Sequence, residues 1–272
     1  MRYAICNETF GDWPHDRVCG TAAELGYGSL EIAPFTLAPR ITDVSLTRRH
    51  ELRQQAEDAG IPILGLHWLL AKTEGLQLTS PDAEVRRRTA EYLGELARCC
   101  RDLGGNLMVF GSPAQRRIPA GHTLAQATAF ALDTFRRAQD TFAETGVTLC
   151  LEPLSPPDAD VFTTAGETVE MIDALGHPNF ALHLDVKAMT TEATPRPDLI
   201  RQHHAVMKHF HANDANLRGP GFGDVDFVPI FQALKDVSYT GWVSVEVFDY
   251  TPDPVTIARE SIRYMREVEN RI

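Results

Sequence analysis

The sequence predicts an α/β protein folded as one closed (β/α)8 barrel over residues 1–272. Three observations carry this. Short apolar runs alternate with amphipathic runs from end to end, eight times, with no linker and no shift of composition. The strand runs are short and mostly apolar on both faces, as expected of parallel strands covered by helices. The connections leaving the strands are long, whereas those returning to them are only about one to five residues, which gathers every elaborated loop at the end where barrels bind ligands. An open doubly wound sheet is the competing arrangement. It usually carries a glycine-rich phosphate loop after its first strand, and Asn7-Glu8-Thr9-Phe10-Gly11 is not one.

In chain order, Tyr3–Asn7 is the first expected strand, followed by a helix from His15 to Leu25 that Gly26 closes. Gly28–Ala33 is the second strand, and Ser45 caps a helix running to Ala59 with Gly60 at its end. After the third strand, Ile63–His67, Ser80-Pro81 is expected to open a helix, with proline at the first position where no N–H is needed. Gly104-Gly105 stop it. Asn106–Phe110 and Val147–Leu151 are the fourth and fifth strands, separated by a helix over Thr123–Thr145. Thr164 and Glu167 have capping-box spacing and open a helix that ends at Gly176. Phe180–Leu184 is the sixth strand, Asp198–His204 a short helix, Val206–His211 the seventh strand and Phe227–Asp236 a helix that Asp226 caps. Trp242–Val247 is the eighth strand, and Asp253-Pro254 opens a last helix to Val268.

Composition narrows the function classes. The formal net charge is −11, which argues against a dedicated nucleic-acid binder, because phosphate binding is driven by Lys and Arg. The five cysteines form no C-x-x-C and sit mostly in apolar runs, so free buried thiols and a reducing, cytoplasmic compartment are expected. The first residues, Met1–Glu8, turn polar too early for a signal peptide, and no apolar run is long enough to span a bilayer.

The chemistry sits at four successive strand ends: Leu151-Glu152-Pro153, His183-Leu184-Asp185, His209-Phe210-His211 and Val245-Glu246-Val247. Spacings of 33, 26 and 35 residues between Glu152, Asp185, His211 and Glu246 are each about one βα unit. In a barrel these side chains converge on one rim. Three converging carboxylates repel one another unless protonated or neutralised, and a divalent cation neutralises them. Three carboxylates and one imidazole suit Mn²⁺, Mg²⁺ or Co²⁺ better than structural Zn²⁺.

Leu-Glu-Pro at 151–153, His-Leu-Asp at 183–185, His-x-His-Ala-Asn-Asp at 209–214, Gly-Pro-Gly-x-Gly-x-x-Asp-Phe at 219–227 and Val-Ser-Val-Glu at 243–246 together carry a resemblance. In their order and spacing, the chain resembles the sugar isomerase/epimerase group of xylose-isomerase-like TIM barrels. That group includes ketose 3-epimerases, hydroxypyruvate isomerase and 2-keto-myo-inositol isomerase. The resemblance implies that Glu152, Asp185, His211 and Glu246 hold one divalent ion, Mn²⁺ first, with Mg²⁺ or Co²⁺ as alternatives. It implies that Glu152 and Glu246 are also the acid/base pair. The reaction implied is isomerisation or epimerisation of a small ketose, inosose or related keto-polyol through a metal-stabilised enediolate. Return of the proton to the opposite face gives epimerisation, and return to the neighbouring carbon gives isomerisation. A homo-oligomer is implied by resemblance alone.

Other residues are candidates for substrate contact. His67 and Glu31 stand at strand ends, and Glu31 is equally readable as a buried ion-pair partner; Glu8 follows the first strand. Trp68 is read as core packing before sugar wall. His183 and His209 share faces with Asp185 and His211; each is a candidate donor supporting the metal from behind its ligand, and each is read first as a packed barrel-interior histidine. By resemblance Arg218 contacts substrate, and Asp158 stands where relatives place a longer glutamate. Many relatives carry histidine where this chain has Ala188. The preceding Lys187 is a candidate cationic contact or proton donor, and is equally readable as a surface lysine; the missing histidine counts against the usual ketose 3-epimerase activity and against a multi-metal site. Gly219–Gly223 and Arg116-Arg117 are candidate phosphate contacts. Trp13, Leu69, Leu70 and Phe248 are candidates for pocket walls or for a dimer interface. Competing functions are a metal-dependent lyase or dehydratase of a keto-polyol or keto-acid, an apurinic-site endonuclease and a non-catalytic sugar-binding barrel.

Overall fold

The computed structural model describes every residue, Met1–Ile272. Eight strands pair in chain order, all parallel, and the last returns to the first to close a barrel. They are β1 (Arg2–Cys6), β2 (Ser29–Ile32), β3 (Ile63–Leu66), β4 (Leu107–Phe110), β5 (Thr148–Leu151), β6 (Phe180–Asp185), β7 (Met207–Ala212) and β8 (Trp242–Val245). The helices around them are α1 (His15–Leu25), α2 (Leu46–Asp58), α3 (Ala83–Asp102), α4 (Leu124–Thr145), α5 (Ala165–Leu175), α6 (Arg196–His203), α7 (Phe227–Asp236) and α8 (Pro254–Glu269). The expected single barrel is the observed fold.

The main departures are at helix starts. α3 begins at Ala83, because Asp82 rather than Ser80 is its cap: the Asp82 carboxylate accepts from Glu84 N at 2.8 Å, while Ser80 Oγ accepts from Asp82 N. A carboxylate there also meets the positive end of the helix dipole, which a hydroxyl does less well. At α5 the expected reciprocal cap is only half made. Thr164 accepts from Glu167 N, but the Glu167 carboxylate reaches one residue further back, to Thr163 N at 2.7 Å. The full box is at α4, between Thr123 and Gln126. α6 starts at Arg196, directly after Pro195, and Asp226 caps α7 as expected.

Period-two alternation sorts the strands into a helix-facing side and a barrel interior. The helix-facing side is apolar. Phe110, Phe135, Phe142 and Phe180 meet edge to face with centroids 5.3–5.8 Å apart under α4. Burying each such ring is worth about 1.5–3 kcal/mol. The lower barrel interior is apolar too, filled by Ala4, Leu64, Leu107, Val109, Cys150 and Ala181. Toward the C-terminal rim the interior turns polar: Cys6, Glu31, Glu152, His183, Asp185, His209, His211, Ser244 and Glu246, all buried. The five cysteines are all buried and unpaired.

Candidate metal and catalytic centre

Each functional side chain sits where its strand's interior face meets the C-terminal rim. Asp185 and His211 are directly paired across β6 and β7. Glu152 and Glu246 are each one residue past the end of β5 and β8. One ligand atom from each of Asp185, His211 and Glu246 lies within 4.8 Å of the others, and Glu152, His183 and Asp185 form a second such group. All four residues expected at the centre are therefore gathered there, in two overlapping sets.

The electrostatics fit a cation. Burial, and then the charges of Asp185 and Glu246, push the Glu152 carboxyl up to about 8. Burial and Glu246 push Asp185 up to about 6, against the helping hydrogen bonds of Ala188 N and Asn213. Glu246 overcomes its burial and is held below the usual carboxylate range by His211 and His67. Protons thus stand in for positive charge that this cluster lacks, and the chemistry of the donor set (three carboxylate groups and an imidazole) fits a hard or borderline divalent ion.

His211 is fixed from both edges. Its Nδ1 donates to Glu246 Oε2 at 3.1 Å and its Nε2 to Glu31 at 3.2 Å. Against burial, these two carboxylates raise its pKa well above the ordinary imidazole value. Glu31 also accepts from His209 Nε2 at 2.6 Å. Glu31 is wholly buried with its carboxylate held by two imidazoles, so it is the ion-pair partner and not the substrate contact that its strand-end position also allowed. With Nε2 committed to Glu31, Nδ1 is the atom that His211 can offer a metal.

Asn213 was not singled out from the sequence, although it lies in the quoted His-x-His-Ala-Asn-Asp run. Its Nδ2 donates to Asp185 Oδ2 at 2.5 Å and its Oδ1 accepts from Lys187 N at 2.8 Å. Ala188 N donates to the other Asp185 oxygen at 2.7 Å. Asp185 is therefore aimed by its own following turn and by β7. Gly111, just past β4, leaves the space that Glu152 Oε2 occupies: a Cβ built there would overlap that oxygen. Arg116, the candidate phosphate contact, is instead fully buried, with Nη1 donating to the Glu152 main-chain oxygen at 2.7 Å.

A cavity of about 440 Å³ opens over the centre, within the range of small-molecule sites. Glu152, Glu246, His67, Asp158 and Lys187 line it, with Trp68, Leu70 and Phe248 among its walls. His67 Nδ1 donates to Glu246 Oε1 at 3.2 Å, and its Nε2 lies 2.8 Å from Glu8 Oε2. Trp68 departs from expectation: it is not simple packing. Its Nε1 donates to the same Glu246 oxygen at 2.7 Å, and its ring stacks on Phe248 with centroids 5.8 Å apart. Lys187 pairs with Asp158 at 3.2 Å at the cavity mouth. Arg218 does not join them. It pairs with Asp249 at 2.9 Å and lines none of this cavity; Leu217, just before it, is in a left-handed conformation, φ 72°.

Comparison with known proteins agrees with the barrel fold. The model of the xylose isomerase-like TIM barrel family matches residues 19–268. D-psicose 3-epimerase of Agrobacterium fabrum is 30% identical over 233 residues, 83% of this chain and 76% of that one. Hydroxypyruvate isomerase of Escherichia coli is 26% identical over 152 residues, 55% of this chain and 57% of that one. Among solved structures, an L-ribulose 3-epimerase superposes with a TM-score of 0.87 at 21% identity, covering 99% of this chain and 95% of that one. With its barrel and a family match over most of its length, the chain belongs to the xylose isomerase-like TIM barrels.

Proposed function

We propose that the protein is a divalent-metal-dependent isomerase or epimerase of a small ketose, inosose or related keto-polyol, with Glu152 and Glu246 as its acid/base pair. The observation that carries the reading is that these two glutamates, from β5 and β8, line one cavity beside the Asp185–His211 pair. Glu152, Asp185, His211 and Glu246 would hold the ion, Mn²⁺ before Mg²⁺ or Co²⁺. When bound, the ion supplies Lewis-acid stabilisation of charge developing on the substrate oxygens. One glutamate takes the proton beside the carbonyl, and the enediolate is reprotonated by the other glutamate or at the neighbouring carbon. Trp68 Nε1 and His67 Nδ1 fix the Glu246 carboxylate while it does so. The test is proton exchange with deuterated water across a panel of ketoses, inososes and keto-acids with Mn²⁺ present. No exchange with any member would overturn the reading, and loss of a hydroxyl instead of exchange would make the enzyme a lyase.

Lys187 and Asp158 at the mouth, and His67 beside Glu246, are the proposed substrate contacts. Lys187 bonds Asp158 and neither glutamate, so it contributes binding shared by ground and transition states. Lys187→Met is expected to raise KM about tenfold and leave kcat within about threefold. A kcat loss with unchanged KM would show that Lys187 takes part in the chemistry.

Metal binding should displace the protons on Glu152, Asp185 and His211. Glu152 and Asp185 have raised pKa values in the fold, about 8 and 6, so they bind more protons folded than unfolded; their contribution is present at low pH and lost as pH rises through those values. His211 has the same sign. An ion that replaces these protons restores the loss, so the rise in Tm on adding Mn²⁺ to EDTA-stripped protein should grow from pH 5 to pH 8. Thermal melts in paired buffers check this; a rise that is flat or shrinks with pH would contradict it.

A further inference from the structure

His183 is unexplained by the site described so far. It lies two residues before Asp185 on the interior face of β6 and is wholly buried, and neither Nδ1 nor Nε2 has a hydrogen-bond partner. Its neighbours His209 and His211 both bond to Glu31. His183 instead stands edge-on to the His211 ring, with centroids 4.2 Å apart. Buried imidazole nitrogens are ordinarily satisfied, and two idle ones on one ring are a costly arrangement without a ligand.

The donor atoms around it divide in a particular way. Glu152, His183 and Asp185 form one group within 4.8 Å, and Asp185, His211 and Glu246 form another; only Asp185 belongs to both.

We propose that His183 ligates a second divalent cation, together with Glu152 and Asp185, the two carboxylates it would share with the first ion. This rests on the metal reading above but not on the substrate. A nitrogen donor beside carboxylates selects Mn²⁺, Co²⁺ or Zn²⁺ over Mg²⁺ or Ca²⁺. The missing histidine at position 188 is no obstacle, because the added imidazole comes from inside the barrel, below Asp185.

The test is to strip the protein, load it with Mn²⁺, remove free ion and count manganese per chain by elemental mass spectrometry, with electron paramagnetic resonance on the same samples. The expected result is two ions per chain with the spectrum of an interacting pair. In His183→Leu or His183→Phe, two substitutions that fill the buried space, one ion with an isolated-ion spectrum is expected. One ion per chain in the wild type overturns the proposal alone, and so do two ions retained in either variant. No ion at all overturns it together with the metal reading. Should both variants fail to fold, the wild-type count and spectrum decide.

Discussion

Glu246→Gln should lower turnover by about 10²–10⁴-fold and leave the fold intact, and Glu152→Gln should do the same. General acid/base catalysis contributes roughly that factor, and an amide keeps the shape of the side chain but cannot exchange the proton. The glutamates differ in what surrounds them. Glu246 is gripped by Trp68 Nε1, His67 Nδ1 and His211 Nδ1, so much of its orientation should survive as glutamine. Glu152 is pushed up to about 8 by burial and by Asp185 and Glu246, so near neutral pH it must take up a proton to fold in the metal-free protein, a cost that the neutral glutamine does not carry. Stability should therefore hold or rise in Glu152→Gln while exchange is lost. Deuterium exchange at the substrate carbon, measured beside a thermal melt, separates the two effects. Activity within tenfold of wild type in both variants would remove these residues from the chemistry.

Gly111→Ala should cost about 10²-fold in turnover, the loss expected when a reacting group is displaced by about an ångström. The glycine is not needed for its backbone, since it is not among the positive-φ residues. It is needed because any Cβ would occupy the place of Glu152 Oε2. The overlapping atom is the end of a flexible side chain, so the carboxylate would yield before the barrel did. Circular dichroism should stay native, while Mn²⁺ affinity and turnover fall together. Turnover within threefold of wild type would mean that Glu152 tolerates a second position.

The site was partly legible in the sequence for a local reason. Period-two alternation and the βα repeat put Glu152, Asp185, His211 and Glu246 on interior faces at successive rims, and a barrel leaves such side chains nowhere else to go. The same rule did not rank their supports. Trp68 looked like packing because Gly65-Leu66-His67-Trp68 is an apolar context, and nothing nearby in the chain shows that its indole N–H meets Glu246, 178 residues away. Glu31 stood at a strand end as a ligand would, but its oxygens were already taken by His209 and His211, 178 and 180 residues on. Arg218 lies in a loop whose sequence fits a substrate contact, but it pairs with Asp249 and lines none of the cavity.

By itself the sequence determined the eight-unit barrel, the rim and the four residues gathered on it, because strand alternation, capping and loop length are set by neighbours in the chain. Only the tertiary structure decided which buried polar atoms are satisfied, that Gly111 is space for Glu152, and that His183 has no partner. Those outcomes depend on closure of β8 onto β1 and on distances between side chains far apart in sequence, which no local pattern encodes.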